Sequence, residues 1–136
     1  MNAIFACLFL ITSVLSTPNL VGSSEEEIKQ YMEENEKGFV YQSYTNNSTF
    51  KYLKYTDRRE TQTILFFLDT NLECKLVRLV CDISLKSSKL KELDALYTRT
   101  AENNTWKEIK NGISYIIELR EEETTFSINI QRNDKN

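Results

Sequence analysis

From Phe39 onward, apolar side chains recur at every second position in segment after segment, and that period of two restricts most of the chain to β-sheet. Phe39 to Tyr44 reads as a strand ended by Asn46-Asn47, and Thr49 to Tyr55 reads as a second. Thr61 to Leu68 carries Ile64, Phe66 and Leu68 on one face and Thr63, Leu65 and Phe67 on the other. Over Cys74 to Leu85, Val77, Leu79, Cys81 and Ile83 share a face opposite Arg78 and Asp82, a half-buried antiparallel pattern. Trp106 to Ile109 and Ile113 to Leu119 flank Asn111-Gly112, a strong type I′ hairpin signal. Phe126, Ile128 and Ile130 alternate with polar residues in a last strand. Asp57-Arg58-Arg59-Glu60 and Asp69-Thr70-Asn71 read as turns.

One segment fits two periods. Leu90, Leu93, Ala95 and Leu96 make a helical face over Lys89 to Thr100, whereas Leu93, Ala95, Tyr97 and Arg99 alternate. The antiparallel surroundings favour a strand. The sum is about seven consecutive strands with short links, which implies an up-and-down antiparallel meander. A meander of that length must curl to protect its edges, so a barrel, complete or incomplete, is expected.

Ahead of the strands stands one helix. Ser23-Ser24-Glu25-Glu26-Glu27 is a helix start with a capping serine and an acidic first turn. Ile28, Tyr31 and Met32 fall on one narrow face, and Gly38 closes the segment, giving a helix over 24–36.

No Lys, Arg, Asp or Glu precedes Glu25, and Ile4 to Ile11 is wholly apolar. That run is too short to span a bilayer and has the length of a secretory h-region followed by small residues. Residues 1–22 are therefore read as a signal peptide and 23–136 as one secreted, extracellular domain. No second apolar run is long enough to anchor the product, so no membrane attachment is expected. A net charge of −3 argues against nucleic acid, whose binders cluster Lys and Arg.

The chain contains no His, which removes the Ser-His-Asp and Cys-His nucleophile arrangements and the commonest metal ligand. Cys74 and Cys81 alone make a poor zinc set, and three glycines cannot build a phosphate loop. No enzyme, metal or cofactor is expected. Asp69 and Glu118 are the better candidates for an acid that points inward. Cys74 and Cys81, seven apart, fall on opposite faces of a strand about 20 Å apart, beyond disulfide reach. Cys81 is then a small buried hydrophobe, or one cysteine pairs outside this chain. Sequons at Asn46, Asn47 and Asn103 fall in expected loops, where a glycan can sit.

The aromatic stripe is the main pointer to function. Strand Tyr and Phe serve either as core or as the wall of a cavity, and Tyr suits a polar-edged cavity because its hydroxyl needs a partner. Phe39, Tyr41, Tyr52, Phe66, Tyr97, Trp106, Tyr115 and the acid Glu118 are the expected ligand-binding set.

Phe39-Val40-Tyr41-Gln42-Ser43-Tyr44-Thr45-Asn46-Asn47-Ser48-Thr49-Phe50 resembles the early-strand signature of the tick salivary lipocalins, the histamine-binding-protein-like group. There an aromatic-rich strand leads through Tyr-x-Asn to a Phe or Trp. The chain departs from that pattern in having no Cys over 51–56. The resemblance implies a secreted barrel that sequesters histamine, serotonin or a lipid mediator, an anti-host-defence role; some members bind host proteins instead. Two other readings stand beside it. One is a secreted effector that binds a protein through a strand edge or loop. The other is a cystatin-like inhibitor, for which the Gln-x-Val-x-Gly wedge is missing.

Overall fold

The computed structural model describes residues 19–46 and 51–134. The apolar leader core, Asn47 and Phe50 lie outside the described residues. Helix α1 (Glu25–Asn35) leads into β1 (Phe39–Asn46), β2 (Lys51–Asp57), β3 (Gln62–Leu68) and β4 (Cys74–Asp82). A single 3-10 turn (Ile83–Leu85) and α2 (Lys86–Leu96) follow. Then come β5 (Thr98–Arg99), β6 (Thr105–Lys110), β7 (Ile113–Glu121) and β8 (Thr125–Arg132). The protein is mostly β, with one eight-stranded antiparallel sheet and two helices.

The sheet order is β1-β2-β3-β4-β8-β7-β6-β5. Each half is a meander of hairpins, but β4 pairs with β8 rather than with the strand that follows it. The reason is α2. The expectation of a strand over Lys89 to Thr100 is corrected: Lys86 to Leu96 is helical. Its Lys, Leu, Glu and Ala content, with no β-branched residue, favours helix once tertiary packing offers it a seat. Asp82 prepares that change, because its carboxylate accepts from the Ser84 N–H at 2.9 Å and stops β4 three residues before Leu85. The chain leaves β4, buries Leu93 of α2 in the core, and re-enters the sheet at its far edge as β5. β1 and β5 are the two edges, and the sheet is not closed.

Helix α1 starts where its sequence says it should. The Ser24 side chain accepts from the Glu27 N–H, and the Glu27 carboxylate answers the Ser24 N–H. Ile28 and Met32 lie against the sheet. Glu25 receives Lys51 of β2 at 2.7 Å, which fixes the first turn of α1 to the sheet.

One face of the sheet is the core. Leu53, Phe66, Val77, Ile130, Ile117 and Trp106 are successive partners across β2, β3, β4, β8, β7 and β6, and each is 0 % exposed. Each such burial stabilises by about 1.5–3 kcal/mol relative to exposure. Tyr55, Ile64, Leu79, Ile128 and Leu119 form the neighbouring row. The alternation read from the sequence in β3, β7 and β8 has the right phase. In β2 it does not: Leu53 and Tyr55 point inward, while Tyr52 lies on the outer face with its ring 5.8 Å from Phe67.

The cysteine geometry is also corrected. The β3–β4 register slips between Phe67 and Leu68, so that Phe67 faces Leu76 while Leu68 faces Cys74. Lys75 is the extra residue of a bulge, which reverses the phase of the strand. Cys74 and Cys81 therefore share the core-facing side; both are free thiols, about 1 % exposed. Burial pushes each thiol up to about 12.

The described residues ahead of α1 also join the fold. Val21 is buried, Gly22 N–H donates to the Cys74 carbonyl at 2.8 Å, and the Asn19 amide donates to Glu108 at 2.7 Å. Among the described residues no helix is long and apolar enough to cross a membrane.

Candidate functional site

Glu36 caps the helix through its N–H to the Met32 carbonyl, and Lys37-Gly38 turns the chain into β1. A groove of about 530 Å³ opens between that end of α1 and the sheet edge. Phe39 and Tyr41 of β1 and Tyr55 of β2 supply its walls, Met32 its floor, and Lys29, Glu33, Glu36 and Lys37 its rim. Tyr41 and Tyr55 are register partners, and their rings meet edge to face with centroids 5.3 Å apart. The Tyr55 ring meets Phe66 of the core at 6.0 Å, which braces the wall from behind.

Charge is unevenly distributed around the groove. The Lys29 ammonium lies 3.1 Å from Glu25 and 5.5 Å from the Tyr41 ring centroid, so the groove already places one cation against an aromatic face. Glu36 is 8 % exposed. Burial raises its carboxyl to about 7; Lys89 opposes that rise and Glu92 adds to it. Burial likewise raises the Tyr55 phenol to about 12. An acid that is half-ionised near neutrality beside three aromatic rings is suited to receive an organic ammonium. The cation would stabilise the carboxylate and be covered by the ring faces.

Two of the expected ligand-binding residues, Phe39 and Tyr41, line this groove. Phe66 and Trp106 have no exposed surface and belong to the core. Tyr115 is buried in the same core, and Tyr97, at the end of α2, packs half-buried against it. Tyr52 is on the outer face, and so is Glu118, which alternates with the core residues Ile117 and Leu119 and receives Arg120 at 3.4 Å. Asp69, the other candidate acid, holds a turn by accepting from the N–H groups of Asn71 and Glu73. Asn103 is exposed in the turn before β6, and Asn46 ends β1.

Sequence reasoning missed Glu36, Glu33 and Tyr55. Glu36 lies in an acidic stretch that reads as solvated surface, and its burial, with Lys89 and Glu92 of α2 acting on its charge, emerges only in the folded chain. Tyr55 was legible in principle, because Leu53 and Tyr55 alternate as cleanly as Phe50 and Tyr52. Compared with known proteins, the chain matches no family model, no curated protein and no solved structure.

Proposed function

We propose that the protein captures a small organic ammonium compound, a biogenic amine such as histamine or serotonin, and holds it in the groove beside α1. The reading is of a secreted, non-enzymatic binding protein. The observation that carries it is the near-buried Glu36 carboxyl at an aromatic groove walled by Phe39, Tyr41 and Tyr55. The likeness of Phe39 to Phe50 to the tick salivary lipocalins supports capture as the mode of action. The bound molecule would then sit against the outside of the α1 end rather than within a closed barrel.

The test is calorimetric titration of the folded protein with histamine, serotonin and a fatty acid. Saturable heat is expected from an amine, and it should disappear in Glu36→Gln and weaken in Tyr41→Ala, a position 40 % exposed. Heat from the fatty acid alone would replace the amine by a lipid mediator. Silence from all three would end the capture reading. The second reading, a protein partner adding a strand at β1, is favoured by one feature: β1 is an open edge with Val40 46 % and Tyr41 40 % exposed.

A further inference from the structure

On the other side of Phe39 lies a second groove, of about 420 Å³, with the opposite chemistry. Three separate parts of the chain meet there. The β2–β3 turn brings Arg58, Arg59, Thr61 and Gln62; the α1–β1 turn brings Gly38 and Phe39; the start of α2 brings Leu85, Ser88 and Lys89.

One acid, Asp57, lines this groove, and it does not serve the arginines. Its carboxylate accepts from the Thr61 N–H at 2.8 Å, the Thr61 hydroxyl at 2.7 Å and the Gln62 N–H at 3.0 Å. The acid is spent on closing the turn. Among the described residues, Arg58 and Arg59 have no ion pair and no hydrogen bond. Lys89 differs from them: it is 3 % exposed and its ammonium lies 3.1 Å from Glu92. A buried, held cation therefore forms one wall, and two uncommitted guanidinium groups form the rim. The first turn of α2 contains no acidic residue and faces this groove through Ser88, so the positive end of that helix adds to the field. In a chain of net charge −3, two arginines placed side by side over a groove and left unneutralised form a local positive site.

We propose that this groove binds a small anion through a carboxylate or phosphate group. Arg58 and Arg59 would supply paired N–H donors in fork geometry and Ser88 a hydroxyl donor, while Lys89, already held by Glu92, forms the wall behind them. Guanidinium matches planar or tetrahedral oxyanions with two parallel hydrogen bonds, which a lone ammonium cannot do. The site adjoins the amine groove: Phe39 is a wall of both, and Lys89 of this site acts on the charge of Glu36 in the other.

The experiment is NMR titration of the isotope-labelled protein with inorganic phosphate and, in a second arm, with acetate, at constant ionic strength set by chloride. Saturable shifts are expected in the signals of Arg58, Arg59, Ser88 and Lys89. The stronger of the two arms identifies the anionic group. The double variant Arg58→Gln, Arg59→Gln changes only exposed turn positions, and it should weaken the response roughly tenfold or more. Lys107→Gln, an exposed change on β6, should leave the response unchanged. Shifts that grow linearly without saturating in both arms, or that survive in the double variant, would overturn the proposal. Because phosphate and acetate carry no ammonium, a failed amine titration leaves this result standing, and a failed anion titration leaves the amine groove standing.

Discussion

The indole Nε1 of Trp106 donates to Oδ1 of Asp94 at 2.9 Å, which joins the fully buried ring on β6 to the exposed face of α2. Arg99 completes the arrangement. Its Nε lies 2.6 Å from the same carboxylate oxygen, and its guanidinium covers the indole at 4.9 Å from the ring centroid. The pair of charge-assisted bonds holds the Asp94 carboxyl below the usual carboxylate range. One carboxylate thus fixes both the end of α2 and the edge of the sheet where the chain re-enters it.

Trp106→Ala is expected to cost about 3–5 kcal/mol, because the ring fills the end of the longest core row. Asp94→Leu should destabilise as well, since it leaves a buried indole N–H without its acceptor. Urea unfolding followed by circular dichroism checks both. A Trp106→Ala protein as stable as the parent would show that the packing has been misread.

Glu36 makes stability fall with rising pH. Its folded pKa, about 7, lies above its ordinary 4.5, so the native state keeps a proton that the unfolded chain has released. Stability is highest below about 4.5, declines as pH rises through the interval to about 7, and levels off above it. Burial sets the rise in pKa; Lys89 opposes it and Glu92 adds to it. Glu36→Gln should flatten the pH profile of chemical unfolding between those limits.

Cys74 and Cys81 should be silent towards alkylating reagents in the folded protein and react fully in denaturant. Their thiols are buried and pushed up to about 12, so thiolate is scarce at neutral pH. Mass spectrometry after iodoacetamide, with and without urea, reads the difference. Labelling at either cysteine without denaturant would contradict the burial.

Oε1 of Gln62 is buried with no hydrogen-bond partner. An orphaned acceptor of this kind is costly, and a thioether of similar length carries no such need. Gln62→Met is expected to raise stability by about 1 kcal/mol, measured by the urea midpoint at unchanged slope. A loss of stability would reveal a partner for that oxygen.

Removal of residues 1–22 should yield a weaker fold than removal of 1–18. The longer cut deletes buried Val21 and the Gly22-to-Cys74 hydrogen bond, at a combined cost of about 2 kcal/mol. If the chain is exported as proposed, N-terminal sequencing is expected to read a start at or upstream of Asn19. A mature terminus at Ser23 would contradict that expectation.

Much of the local structure was legible in the residues. The helix expected over 24–36 spans Glu25–Asn35, with the cap that Ser24 and Glu27 announce. Asn111 and Gly112 take φ of 53° and 76°, the left-handed pair that a type I′ hairpin requires. The bulge at Lys75 was not legible, because alternation over Val77 to Cys81 carries no mark of an extra residue upstream. Nor was the helical state of Lys86 to Leu96, where two periods compete and packing decides between them.

The sequence by itself determined which side chains of β3, β7 and β8 face the core and where the tight turns fall, since those depend on neighbours two to four positions apart. Only the tertiary structure decided that β4 lies beside β8, that Tyr52 faces outward, and that Glu36 is buried. Arg78 and Asn129, joined at 2.7 Å across the central strand pair, are 51 positions apart. A pairing between such distant segments is selected by the free energy of the whole packed sheet, and no local period records it.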